Sequence, residues 1–132
     1  MAHYQHLPIY TSAFQLLKEF YLCVPKMSKQ YKYTLGASML AATMEVVRII
    51  VKTNSVPVAE RGALLDELIW KIEEIVIMLR IAEALKQFDS DRQYLYMVEQ
   101  VVGCARQAEG WRKSCSVRTV PAQNKATAQA LF

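Results

Sequence analysis

The chain has 132 residues, 53% of them hydrophobic and 21% charged, with only 4 Gly and 4 Pro; that composition fits one globular domain and excludes a disordered, collagen-like or low-complexity chain. Sixteen Lys and Arg against twelve Asp and Glu leave a net charge of +4, a mild basic excess that permits nucleic-acid contact without demonstrating it. A 15.1 kDa monomer has a large surface to keep wet, so this much apolar content points to a second buried face in an oligomer or complex.

Apolar residues recur every three or four positions in four successive segments, which predicts four helices. In the first, Ala13, Leu16, Phe20 and Cys23 form a stripe with Leu17 and Val24 beside it. Pro25 then disturbs the helix, and residues 26–32 read as a connection or a ragged helix start. In the second segment Leu35, Met39, Ala42, Val46 and Ile49 repeat at 4, 3, 4, 3. Asn54 and Ser55 end it, with Ser55 a candidate N-cap and Pro57 in the first turn of the next helix.

The third segment is the most regular: Leu65, Leu68, Ile72, Ile75, Leu79 and Ala82 repeat at 3, 4, 3, 4, 3, a heptad seam. A second stripe of Trp70, Ile77, Ile81, Ala84 and Phe88 runs on another side of the same helix. One stripe suffices for packing inside a bundle, so the second predicts a partner surface. Ser90 and Gln93 have capping-box spacing. The fourth segment carries Tyr94, Met97, Val101, Cys104, Ala108, Trp111 and Cys115, and no period continues from Val117 onward. Short connections between four helices predict an all-α, antiparallel up-down-up-down four-helix bundle over residues 1–117, with 118–132 a disordered C-terminal tail.

Catalytic chemistry finds little support in the residue types. Nucleophilic catalysis needs a base beside the serine or cysteine, and the only histidines, His3 and His6, lie in the N-terminal arm. Cys104 and Cys115 fall three turns apart on the buried stripe and cannot share a metal; they read as small core hydrophobes. The four glycines are isolated and form no phosphate loop. The pairs Asp66-Glu67 and Glu73-Glu74 read as a solvated helix face. The expectation is a protein that is no enzyme and implies no catalytic residue, metal or cofactor. Met1–His6 lacks the regions of a signal peptide. The longest uncharged stretch, Tyr33 to Met44, falls short of the roughly 20 apolar residues of a membrane span. A soluble, cytoplasmic protein follows as the expectation.

The basic residues gather by topology at the two ends of the expected bundle. Lys26, Lys29 and Lys32 belong to the first connection, near Lys86 in the third. Arg48, Lys52, Arg61, Arg106, Arg112, Lys113 and Arg118 fall at the opposite end, where Glu45, Glu60 and Glu109 are the close acids. Clustered charge of this kind suits phosphate neutralisation, and equally suits the helix macrodipole. Tyr31 and Tyr33 flank Lys32, an interleaving that stacks bases in some proteins and wedges into a core in more of them.

Several segments carry a family resemblance. Leu7-Pro8-Ile9-Tyr10 precedes the first helix, Tyr31-Lys32-Tyr33-Thr34-Leu35-Gly36 opens the second, and Asn54-Ser55 closes it. Leu79 to Gln87 ends the third, and Tyr94 and Gly110-Trp111 mark the fourth. In order and spacing, residues 7–114 resemble the four-helix-bundle family of accessory variability determinant proteins of diversity-generating retroelements, to which the intervening-sequence proteins of ribosomal RNA genes are related. The resemblance implies a non-catalytic homopentamer with a positively charged surface. It implies as partners a reverse transcriptase and its template RNA, with DNA or an RNA–DNA hybrid as a further ligand, in support of error-prone copying. Carried onto this chain, the basic surface implies Lys26, Lys29, Lys32, Arg48, Lys52, Arg106, Arg112, Lys113 and Arg118 as nucleic-acid contacts. Two features depart from the pattern: Glu109 stands where relatives often have a second Gly, and the segment after Ser116 is longer than the family core. An intervening-sequence-type RNA-binding bundle and a purely structural oligomeric scaffold are the alternative readings.

Overall fold

The computed structural model describes residues 4–119, with side chains through residue 115. The described chain is all-α. After a 3₁₀ turn at Tyr4–His6 come four long helices: α1 Pro8–Cys23, α2 Lys29–Ser55, α3 Arg61–Ala84 and α4 Asp91–Thr119. α1 packs against α2 and α4, and α3 packs against the same two. α4 carries three helical residues past Cys115 and Ser116 at Val117–Thr119; positions 120–132, most of the expected tail, lie outside the described residues.

The four apolar stripes meet in one core. Leu16, Phe20, Met39, Val46, Leu65, Leu68, Ile75, Leu79, Met97 and Val101 are all essentially inaccessible, each fully buried aliphatic or aromatic side chain contributing about 1.5–3 kcal/mol. The two buried hydroxyls, Thr43 and Thr53, donate to the carbonyls of Met39 and Ile49 one turn back, so neither adds an unsatisfied polar group. α2 is long and apolar enough, by length and composition, to cross a membrane, being 27 residues long with an 18-residue stretch of mean hydropathy 1.5; its inner face packs in the core between α1 and α3.

The connections differ from the expected ones in instructive ways. Pro25 converts the end of α1 into a 3₁₀ turn at Val24–Lys26, and the chain re-enters a helix at Lys29. The ragged start is a π turn: over Lys32–Gly36 the spiral widens, and the Ala37 N–H bonds the Lys32 carbonyl five residues back. Gly36 is required here. A Cβ at this position would stand 2.7 Å from Val24 Cγ1 and 3.3 Å from Met27 Sδ, so the first connection closes onto α2 only because that atom is missing.

At the second connection Ser55 is the last residue of α2, not the N-cap of α3; its hydroxyl donates back to the Lys52 carbonyl at 2.7 Å. Pro57 is extended and precedes a 3₁₀ turn, which delays α3 to Arg61. The Arg61 guanidinium caps the preceding helix by donating to the carbonyls of Asn54 and Val56. α3 ends at Ala84 in a Schellman motif. The Gln87 N–H bonds the Ala82 carbonyl, the Lys86 N–H bonds the Glu83 carbonyl, and Lys86 takes the left-handed conformation at φ 57° that glycine usually occupies. Phe88 therefore lies past the helix and does not extend its second stripe; its ring packs against Tyr94 at 5.6 Å. The expected cap of α4 is present. Ser90 Oγ accepts from the Gln93 N–H, and the Gln93 side chain reaches back to the Asp89 N–H.

Two outcomes follow from this packing. Gly36→Ala is expected to lower stability, because overpacking against the stiff, buried Val24 costs about 1–3 kcal/mol and outweighs a helix-propensity gain of at most about 1 kcal/mol. Thermal melts of Gly36→Ala in the wild-type and Val24→Ala backgrounds check this: the loss should vanish where the valine is truncated. Burial lifts the Cys23 and Cys104 thiols to about 11 from an ordinary 9.0. The unfolded chain thus loses these protons at lower pH than the folded one. Their contribution to stability is whole below about pH 9 and declines as pH rises toward 11. Alkylation of the native protein at neutral pH should leave both thiols unmodified, while the denatured chain reacts fully.

Candidate nucleic-acid interface

The basic positions singled out by sequence divide into groups with different surroundings. At one end of the molecule the first and third connections meet: Gln87 Oε1 accepts from the Ser28 N–H at 2.8 Å and from the Ser28 hydroxyl at 3.0 Å. Lys26 stands 4.0 Å from Asp89 across the same junction. Lys29 and Lys32 follow on the opening turns of α2, with Lys29 exposed and Lys32 half-buried. No acidic residue occurs between Glu19 and Glu45, so the outward face of the first half of α2 carries positive charge with no local carboxylate of its own.

Farther along α2 the charge balance changes. Arg48 pairs with Glu45 at 3.3 Å, and a groove between α2 and α3 is lined by Arg48, Lys52 and Lys71 together with Glu45, Glu67 and Glu74. Equal numbers of opposite charges at this spacing neutralise one another and make no phosphate funnel. Lys71 and Glu74 form a further 2.9 Å pair. On α4, Arg106 and Lys113 are exposed on a face shared with Glu99 and Glu109.

Arg112, an implied nucleic-acid contact by sequence, has a partner within the chain: its side chain is 32% exposed and its Nε donates to Asp66 Oδ1 at 2.8 Å. Its guanidinium also lies over Gly62, about 3.5 Å from where a Cβ would stand. The residue ties the end of α4 to the start of α3. The reason lies in the register of the two helices, which brings Asp66 opposite Arg112, a pairing 46 residues apart in sequence that no local pattern encodes. Arg118 lies on the last turn of α4, beyond the described side chains.

The two tyrosines flanking Lys32 separate clearly. Tyr31 is half-buried against the core and acts as the wedge. Tyr33 is 72% exposed, the most exposed large hydrophobic side chain described, and Lys32 Nζ sits 5.9 Å from its ring centroid, within cation–π range. Sequence treated the pair as one feature, but positions two apart fall on opposite sides of a helix, and the core takes the side of Tyr31 and Leu35. An apolar cleft of about 270 Å³ opens between the chain entering α1 and the end of α4, lined by Leu7, Pro8, Ile9, Gln107 and Trp111. Gln107 bonds Ser12 through Nε2 while its buried Oε1 has no partner. Among the described residues no group of three or more His, Cys, Asp or Glu is arranged to hold a metal.

No family model matches the chain, and no curated protein matches it.

The Arg112 geometry gives a discriminating test of structural against surface charge. Arg112→Glu is expected to lower stability by about 1 kcal/mol, the upper range for a solvent-screened pair, whereas Lys113→Glu should leave it unchanged. Chemical denaturation of both variants checks this, and the swap Asp66→Arg with Arg112→Glu should recover most of the loss.

Proposed function

We propose that this chain is a non-catalytic accessory subunit that binds a retroelement reverse transcriptase and its template RNA, with the four helices running up-down-up-down as an antiparallel bundle. The observation that carries the nucleic-acid part is the acid-free basic face on the opening turns of α2. Phosphate recognition through clustered lysines needs no catalytic group and no fixed motif, only uncompensated charge. The resemblance of the segments at 31–36, 79–87 and 110–111 to the accessory variability determinant proteins supports the polymerase as partner, and a cytoplasmic location belongs to the same reading.

Assembly is the second part of the proposal. α3 presents Trp70 at 61% exposure, with Ile77 and Ile81 nearly half-exposed, and α1 presents Phe14 and Tyr21. Aromatic contacts extend the α1 face, from Tyr4 to Tyr10 at 5.0 Å and from Tyr10 to Phe14 at 5.9 Å. Since α1 and α3 each pack on α2 and α4, these two apolar faces belong to helices across the molecule from one another. Joining one kind of face to the other between copies gives a head-to-tail contact, which closes into a ring where the rotation permits. The number five comes from the family resemblance.

Affinity purification of the tagged chain from cells that express it naturally tests the proposal. The expected result is co-purification of the polymerase and its template RNA, with RNA retention falling steeply as salt rises, and a light-scattering mass of about five times 15.1 kDa. Retention of ribosomal RNA without a polymerase would favour the intervening-sequence reading, and an oligomer retaining neither would leave a structural scaffold.

A further inference from the structure

The charged face on α2 contains an aromatic side chain that the core does not use. Lys32–Gly36 is wound as a π turn, a feature that occurs mostly as a single widened turn and often at functional sites. Tyr31 and Leu35, two positions to either side, pack against the core, while Tyr33 between them faces solvent over nearly three quarters of its surface, as positions two apart on a helix do. Exposing a tyrosine ring this fully gains nothing for stability, since a ring of this size contributes by burial. Lys32 lies over one side of the ring at 5.9 Å, Lys29 is exposed one turn earlier, and the next exposed residues on this helix, Thr34, Ala37, Ser38 and Ala41, are small.

We infer that Tyr33 is a stacking platform for an unpaired base of single-stranded nucleic acid, with Lys29 and Lys32 meeting the flanking phosphates. The chemistry is that of single-strand binders, in which an aromatic face takes any base and nearby cations follow the backbone. A duplex keeps its bases stacked on one another and offers no free face to the ring, so the platform selects single strands over duplex where lysines alone do not. This inference rests on the nucleic-acid reading above and adds to it a particular contact and a preference between strand states.

The test uses the full-length protein and a fluorescent RNA of about 15 nucleotides, near the upper site size for one binding module, as a single strand and as a duplex, each across a salt series. Tyr33→Ala should weaken single-strand binding about 5- to 100-fold while leaving duplex affinity and the salt slope unchanged. Tyr33→Phe should bind as wild type, because stacking needs the ring and not the hydroxyl. Lys29→Gln with Lys32→Gln should weaken both forms and flatten the salt slope. Circular dichroism and light scattering identical to wild type confirm that the variants are folded and assembled. Unchanged single-strand affinity in Tyr33→Ala overturns the inference, as does an equal loss for single strand and duplex, which would make the tyrosine a support for the lysines. A loss of polymerase association with oligonucleotide binding intact would also overturn it, assigning Tyr33 to a protein contact. Tyr33-dependent single-strand binding without any polymerase partner would sustain the platform and refute the accessory-subunit role.

Discussion

Burial of one apolar stripe from each of four helices fixes the rotation of every helix about its own axis, and the remaining surface follows from that constraint. Once Leu65, Leu68, Ile72, Ile75, Leu79 and Ala82 are turned into the core, Trp70, Ile77 and Ile81 have nowhere to go but outward. The same holds on α1, where the burial of Ala13, Leu16 and Phe20 leaves Phe14 and Tyr21 in solvent. Outward apolar faces are therefore not loose ends of an imperfect core. The inner stripes are complete without them, which leaves them open to the contact between copies proposed above.

Charge follows a different logic. Counted along the chain, the end of the molecule that holds the second connection is the more basic one. In three dimensions three of its cations are engaged: Arg61 caps α2, Arg112 braces α4 on α3, and Arg48 sits among carboxylates. The smaller lysine group near the first connection is less numerous and less compensated. Net charge is additive over a sequence, but the potential felt by a phosphate depends on which cations already face an anion at close range.

Helix number, the identity of the buried stripes and the cap of α4 were legible in the sequence, because each is written in spacings of three to four residues or in adjacent polar residues. Cys104 and Cys115 were placed in the core by the same periodicity, and both are buried. What escaped were features set by contacts between distant segments. The Asp66–Arg112 pair, the Ser28–Gln87 junction and the close approach of Val24 to Gly36 each join residues whose neighbours in sequence carry no sign of the other. Ser55 was misplaced for a related reason: a serine before a proline has the composition of an N-cap, yet the 3₁₀ turn that follows moves the helix start to Arg61. The outward turn of Tyr33 was legible in principle and went unused: it stands two residues from both Tyr31 and Leu35, and positions two apart fall on opposite sides of a helix.

The π turn at Lys32–Gly36 bears on how the chain can vary in length. Tyr31, Leu35 and Met39 are spaced four and four, which in a regular α-helix would drift by about 80° over the two steps. The wide turn absorbs the drift, so all three still face inward. The segment thus already holds one residue more than a regular helix would need between its core contacts. Loss of a residue there would let the helix regularise with Tyr31 and Met39 seven apart and still in phase, whereas a one-residue deletion in the middle of α3 would rotate every downstream seam position out of the core. A one-residue deletion is thus better absorbed at residues 32–35 than in the middle of α3, provided Gly36 keeps its place against Val24.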